Sequence, residues 1–235
     1  LWKVWNLSQA VSGARGFTTA STGNHALATI FAVRAAGGGT ADATAAASTA
    51  PELLVYVSES ADATKVVRLR GAAADVPAGV ARARVVVAAG AADCAGAEAE
   101  ARRVAAGREF WEYISPYNDA HVVAGQGTLA VELLGQLLGA EAVAAALAAR
   151  GEGEPGLGGR RFAVFVPVGG GGLIAGVAAV LKCALGEQGV RVYGCQPLSN
   201  DVMARSCEAG AILDLPAVAG ADTHSDATAG GVEQG

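Results

Sequence analysis

The residues best suited to chemistry are four consecutive glycines, Gly169, Gly170, Gly171 and Gly172, which lie between an apolar run and an apolar stretch that reaches about Leu185. Glycine costs backbone entropy on folding, but it reaches positive φ and lets a ligand approach the main chain. Where such a loop leads into a helix, unpaired N–H groups and the positive end of the helix dipole favour an anion, above all phosphate. The sequence therefore predicts a strand–loop–helix unit that binds a phosphorylated small molecule.

Two other interpretations of the glycine loop stay open. Gly170, Gly172 and Ala175 match the G-x-G-x-x-A pattern of dinucleotide-binding loops. That pattern requires an acidic residue about 20 positions further on, at the end of the next strand. The next predicted strand, 190–195, leads into Gln196 instead, which disfavours a nicotinamide cofactor. The remaining alternative is a turn that only allows a helix to pack closely on a sheet.

A second polar loop, Ser21–His25, follows a predicted strand at 16–20 and leads into a helix predicted over 25–36. Its amides can hold a carboxylate or a phosphate, and an ordinary N-cap is the alternative. The segment Gly125–Thr128 is interpreted as a third helix N-terminus that could bind an anion, before a helix predicted over 127–138.

Predicted strands and helices alternate along the chain and position these loops. Further strands are predicted at 53–57, 85–87, 110–114, around 162–168 and at 190–195, and further helices at 63–70, 93–106 and 141–150. This rhythm is typical of parallel sheets covered by helices. The predicted fold class is α/β, with two open parallel-sheet domains, each a three-layer αβα arrangement, and a ligand cleft between them at the carboxyl ends of the strands.

The predicted domains are a small α/β domain and a larger cofactor-binding domain. The small domain is residues 17–118, with an Ala/Gly-rich insertion at 37–50. The larger domain combines residues 1–16 with 119–235 and is predicted to be incomplete at both ends.

Composition excludes several classes of function. A net charge of −5 without a basic run argues against a nucleic-acid surface. The 4 cysteines and 3 histidines are scattered, which predicts buried, reduced thiols and no metal site. No apolar span is long enough for a membrane helix, and no signal peptide is recognisable, so a cytoplasmic location is expected. An organellar targeting segment ahead of Leu1 stays open, since the chain lacks an initiator methionine.

Three segments, in this order, resemble pyridoxal-phosphate enzymes of the tryptophan-synthase β fold type. Ser21-Thr22-Gly23-Asn24-His25-Ala26 resembles their S-x-G-N-H-A/G loop. Pro116–Asp119 followed by Ala124–Thr128 resembles the P-[YF]-[DN]-[DH] and A-G-Q-G-T segments of the serine/threonine dehydratase branch, and Val166–Leu173 resembles that branch's phosphate loop. The chain is identified as a member of this branch and is expected to be a partial chain.

The resemblance implies pyridoxal 5′-phosphate as the cofactor and assigns roles to particular residues. Lys3, which lies 21 residues before Asn24, carries the cofactor and moves the substrate's α-proton. The amides of Gly169 to Gly172 hold the phosphate, Asn24 bonds the ring hydroxyl, and the substrate carboxylate binds the loop formed by Ser21, Thr22, Gly23, Asn24 and His25. A frayed terminal lysine is the alternative for Lys3, because Trp5-Asn6-Leu7 stands where the family has Arg-Gly-Ala.

The implied reaction is α,β-elimination from L-threonine or L-serine, which gives a 2-oxo acid and ammonia. Thr22 stands where racemases of this branch carry a serine, and its β-methyl group favours elimination over racemisation. Gln196 and Val202 stand at positions where metal-dependent relatives carry acidic ligands, so no metal is expected. The alternatives are a serine racemase-like enzyme and a truncated relative that binds ligand without turnover. The family implies a homodimer.

Overall fold

The computed structural model describes residues 15–37, 50–77, 80–149, 161–213 and 228. The chain divides into two compact units, Leu1–Pro116 and Tyr117–Gly235. Lys3 and nearly all of the predicted insertion at 37–50 lie outside the described residues. How residues 1–14 are assigned to a domain therefore stays a prediction.

The first unit contains a four-stranded parallel sheet. Its elements are β1 (Gly16–Ala20), α1 (Asn24–Gly37), β2 (Glu52–Val57), α2 (Ala63–Ala74), β3 (Arg82–Val87), α3 (Cys94–Ala106) and β4 (Trp111–Tyr113). The strand order is β3-β2-β1-β4, and Gly16 of β1 pairs with Glu52 on one side and with Trp111 on the other. Because every connection returns to a parallel strand through a helix, the carboxyl ends of all four strands meet at one edge.

Helices cover both faces of this sheet. Leu54 and Tyr56 of β2 pack with Ala97 and Ala101 of α3, and the Thr18 hydroxyl donates to the Ala101 carbonyl (2.8 Å). Side chains alternate along a strand, so the fully buried Leu53 and its neighbours at 55 and 57 face the opposite layer, where α1 and α2 lie. The first unit is thus a three-layer αβα arrangement.

The second unit is built around one strand pair and the helices that pack on it. Its elements are α4 (Ala120–Leu138), α5 (Ala140–Ala149), β5 (Phe162–Pro167), α6 (Gly172–Gly189), β6 (Val190–Cys195) and α7 (Val202–Ala209). β5 and β6 pair in parallel, from Phe162 opposite Val190 to Pro167 opposite Cys195. The buried core joins α4, α5 and α6 to the two strands, through Ala130, Leu134, Val143, Val166, Val177, Leu181, Ala184, Leu185 and Val190.

These elements confirm the predicted α/β class with parallel sheets, and the differences lie mainly at element ends. The predicted strand at 85–87 begins at Arg82, and the predicted helix at 63–70 runs on to Ala74. α6 contains Gly186 at φ 70°, which interrupts the helix close to its predicted end near Leu185.

The start of α4 differs from the prediction. The helix begins at Ala120 and not at residue 127. Asp119 supplies the cap, because its carboxylate accepts from the N–H groups of His121 (2.9 Å) and Val122 (3.1 Å). The segment Gly125–Thr128 is therefore helix interior, and the prediction of a third anion-binding helix start was wrong.

The prediction of buried thiols was also wrong. All four cysteines, Cys94, Cys183, Cys195 and Cys207, are exposed. Cys183, for example, lies on the outward side of α6, between the buried Leu181 and Ala184. Among the described residues, no helix combines the length and the apolar character needed to cross a membrane.

Candidate functional site

The glycine loop joins the end of β5 to the start of α6. The Val168 N–H donates to the Cys195 carbonyl (2.9 Å), so the loop leaves the sheet directly beside the end of β6. Gly171 is the N-cap of α6 at φ 91°, in the left-handed region, and no side chain caps the helix. The first helical bond runs from the Ala175 N–H to the Gly171 carbonyl (3.0 Å). The amides of Gly172–Ile174 therefore have no partner within the helix and suit an anion.

Tyr117 and Met203 lie close against two glycines of this loop. A Cβ built on Gly170 would overlap the ring of Tyr117. A Cβ on Gly171 would lie 3.0 Å from the Cε of Met203, at a φ that side chains rarely adopt. Glycine is thus required at both positions, and the main chain can reach a ligand without an intervening side chain. This geometry fits a phosphate group held by backbone amides.

The first turn of α6 is fixed by its contact with α4. A Cβ on Gly176 would overlap the Val123 carbonyl oxygen and lie 2.7 Å from the Gly127 nitrogen. A Cβ on Gly127 would in turn lie 3.1 Å from the Gly176 carbonyl oxygen. The two backbones touch four residues after the glycine loop ends, so α4 determines where the free amides of α6 point.

The polar loop Ser21–His25 also presents amides at a helix start. The Ser21 N–H donates to the Tyr56 carbonyl (3.2 Å), and the Gly23 N–H donates to the Ser21 hydroxyl (3.1 Å). The first bond of α1 runs from the Leu27 N–H to the Gly23 carbonyl (3.3 Å). No acidic residue occupies the first turn of α1. This helix start can therefore accept an anionic group such as a carboxylate.

His25 is oriented by a hydrogen-bond chain that defines its tautomer. The Thr19 hydroxyl donates its proton to the Ile114 carbonyl (2.8 Å). The same hydroxyl lies 3.0 Å from His25 Nε2 and must accept there, because a hydroxyl has one proton to donate. His25 Nε2 therefore carries a proton, and the ring is held against the end of β1.

Burial changes the pKa of one group beside this loop. Tyr56, whose carbonyl accepts from Ser21, is 5% exposed. Burial raises the pKa of its phenol above the ordinary value, and the negative charge of Glu100 raises it further. The phenol therefore stays protonated to a higher pH than an exposed tyrosine does.

Within the described part of the chain, the predicted site residues form two loops. Gly169–Gly172 lie together in the second unit, and Ser21–His25 lie together in the first. Lys3 lies outside the described residues. The sequence interpretation missed the contacts that Tyr117 and Met203 make with the loop. Tyr117 belongs to a segment that the resemblance singled out, whereas no sequence pattern points to Met203, the only methionine of the chain.

Comparison with known proteins places this geometry in a family. Over residues 1–235 the chain matches the family described as pyridoxal-phosphate dependent enzyme. The biosynthetic L-threonine dehydratase of Burkholderia multivorans is 37% identical over 106 residues, 45% of this chain and 17% of that protein. The serine racemase of Arabidopsis thaliana is 35% identical over 103 residues, 44% of this chain and 24% of that protein.

Solved structures agree with the fold. The T.th. threonine deaminase superposes with a TM-score of 0.66 at 29% identity, over 97% of this chain and 59% of that one. The maize serine racemase gives a TM-score of 0.63 at 23% identity, over 99% of this chain and 57% of that one. The chain thus spans little more than half the length of these solved relatives. The fold, the glycine loop and the match over residues 1–235 show that the chain belongs to the family of pyridoxal-phosphate-dependent enzymes.

Proposed function

We propose that this protein is a pyridoxal-phosphate-dependent ammonia-lyase that converts L-threonine or L-serine into a 2-oxo acid and ammonia. The observation that carries the proposal is the glycine loop, in which Gly171 caps α6 at φ 91° and Tyr117 and Met203 exclude side chains. Threonine dehydratases among the relatives support the reaction type. The cofactor, when bound, supplies an electron sink for the negative charge that develops at the substrate's α-carbon.

The remaining roles belong to the chain's own residues. In this proposal the amides of Gly169–Gly172 hold the cofactor phosphate and Asn24 bonds the ring hydroxyl. The amides and hydroxyls of Ser21–His25 hold the substrate carboxylate, supported by the positive end of the α1 dipole. Lys3 would carry the cofactor, and its amine would remove the substrate's α-proton as a general base.

Racemisation of serine is the second candidate function, supported by the similarity to serine racemases. Elimination remains the preferred reaction because Thr22 stands at the position proposed for the second proton-transfer group. With the cofactor bound, its β-methyl group would take space that a serine would leave free. We therefore expect oxo-acid formation to exceed D-serine formation.

The proposal also covers the substrate class, the oligomeric state, the metal requirement and the cellular location of the protein. The substrate is a small amino acid, the assembly is a homodimer, and no metal is required. The cytoplasmic location expected from the sequence stays a prediction, because relatives include a chloroplastic and a mitochondrial threonine dehydratase. Size-exclusion chromatography with light scattering tests the homodimer, and a monomeric mass at working concentration would contradict it.

The test of the function is a coupled 2-oxo acid assay with L-threonine, L-serine and 3-hydroxyaspartate measured side by side. We expect oxo acid from threonine or serine and a visible absorption band that borohydride abolishes. Lys3→Ala should lose both the band and the product. Lys182→Ala is the matched control, since this lysine pairs with Glu187 on α6 (3.1 Å) and has no proposed catalytic role.

Two outcomes would replace the proposal with an alternative. D-serine formation that outpaces pyruvate formation would make the chain a racemase. Firm cofactor binding without any oxo-acid product would identify a relative that binds its ligand without turnover.

A further inference from the structure

We propose that Gln196 is a positioning residue for the phosphate loop, acting through α7 and Met203. The inference rests on the proposed function, because it concerns the loop that holds the cofactor phosphate. The sequence interpretation treated Gln196 as the residue that follows β6 and as a position where metal-dependent relatives carry an acidic ligand, and gave it no role in the phosphate loop.

Gln196 caps a helix that has no cap of its own. Its Oε1 accepts a hydrogen bond from the Ala204 N–H (3.0 Å), in the first turn of α7. Asp201 occupies the N-cap position of α7 but makes no capping bond. Its carboxylate is engaged with Arg205 instead (2.8 Å). Gln196 therefore supplies, from the end of β6, the acceptor that a local N-cap usually provides.

The capped turn carries the side chain that contacts the glycine loop. Met203 directly precedes Ala204, and its Cε lies 3.0 Å from the position of a Cβ on Gly171. Val202, the residue before it, is buried and anchors the same turn. Contact with Met203 thus supports Gly171 in the left-handed conformation that directs the first amides of α6. If the turn frays, this support is lost.

The orientation of the Gln196 side chain is defined by its partner. The Ala204 N–H can only donate, so the amide oxygen must face it, and this turns Nε2 toward the interior. Nε2 is buried, and no acceptor reaches it among the described residues. A buried N–H without an acceptor costs free energy. The side chain nevertheless keeps the capping bond to the Ala204 N–H, although its Nε2 has no acceptor among the described residues.

The consequence for binding follows from preorganisation. A protein whose binding-competent conformation is populated only in part shows an affinity reduced by that fraction. Loss of one capping bond shifts the population of the first turn of α7 by roughly five- to tenfold. Gln196→Leu should therefore weaken the binding of pyridoxal 5′-phosphate by up to roughly that factor, the limit that is reached when the frayed turn dominates in the variant. Pyridoxal, which lacks the phosphate, should bind the variant and the wild type equally.

The experiment measures dissociation constants of both ligands for the wild type, Gln196→Leu, Met203→Ala and the double variant, each with a urea unfolding curve. If Gln196 acts through Met203, the double variant should bind pyridoxal 5′-phosphate no more weakly than the weaker single variant. Ser206→Ala is the control: its hydroxyl donates to the Val202 carbonyl (2.7 Å) and accepts from the Leu213 N–H (3.1 Å), and so ties α7 to the segment that follows the helix. It should unfold more readily but keep the wild-type ratio of the two affinities.

Several results would overturn the positioning role. These are unchanged binding of pyridoxal 5′-phosphate in Gln196→Leu or Met203→Ala, equal weakening for both ligands, or additive losses in the double variant. Failure of the proposed function would give results different from these. A wild type that binds the cofactor but yields no oxo acid contradicts the lyase and leaves this comparison valid. A wild type that binds no cofactor contradicts both.

Discussion

Gly127 of α4 and Gly176 of α6 lie in backbone contact, so neither position has room for a side chain. A Cβ on Gly127 would lie 3.1 Å from the Gly176 carbonyl oxygen, and a Cβ on Gly176 would lie 2.7 Å from the Gly127 nitrogen. Both glycines are buried within helices, where glycine is otherwise unfavourable. The close approach explains why they are tolerated there.

Gly176→Ala should therefore destabilise the protein. The added methyl group forces α4 and α6 apart, and overpacking of this kind costs about 1–3 kcal/mol. Urea unfolding measures the free energy of unfolding. Gly135→Ala in α4 is the control, because nothing lies within 4 Å of a Cβ there. It should stabilise the helix by about 1 kcal/mol or less. Equal effects of the two substitutions would contradict the close contact.

Asp119→Ala should destabilise α4 through the loss of its cap. The carboxylate accepts from the N–H groups of His121 and Val122, and removing such a cap costs about 1 kcal/mol. Asp119→Asn should retain most of the stability, since asparagine caps helices about as well as aspartate. Thermal unfolding of the three proteins checks this, and an unchanged midpoint in Asp119→Ala would mean that α4 begins elsewhere.

The sequence was sufficient to predict the alternation of strands and helices and the glycine loop, because both are local patterns. It misplaced the start of α4, since glycines at 125 and 127 resemble a helix boundary when Gly176, 49 residues beyond Gly127, is not visible as the partner of Gly127. The same reason explains the missed contact between Met203 and Gly171. Contacts between distant elements depend on packing, which no local spacing encodes.

The free energy of unfolding should fall at alkaline pH because the phenol of Tyr56 is buried. Burial raises the pKa of its phenol in the folded state, and nearby Glu100 adds to the effect. The unfolded chain releases this proton first, at about pH 10. The stabilisation that the buried, protonated phenol gives to the folded state is thus fully present below about pH 10. It is lost as pH rises through the folded-state pKa. Urea unfolding at a series of alkaline pH values should show a smaller decline in Tyr56→Phe than in the wild type. Parallel declines would show that another group is responsible.

Thr22→Ser should shift the proposed reaction toward racemisation. The substitution keeps the hydroxyl and removes the methyl group that is proposed to crowd the cofactor ring. Chiral chromatography of serine, combined with an oxo-acid assay, gives the ratio of D-serine to pyruvate. We expect this ratio to rise, whereas a ratio equal to that of the wild type would remove Thr22 as the determinant of elimination.

The central claim is that backbone amides at Gly169–Gly172 bind the cofactor phosphate, and Gly170→Ala tests it most directly. The new methyl group would overlap the Tyr117 ring and so displace the loop. Equilibrium binding of pyridoxal 5′-phosphate and of pyridoxal is measured for the wild type, Gly170→Ala and the control Gly135→Ala. The account predicts that Gly170→Ala loses affinity for pyridoxal 5′-phosphate alone, while the control matches the wild type. Wild-type affinity for pyridoxal 5′-phosphate in Gly170→Ala would contradict it.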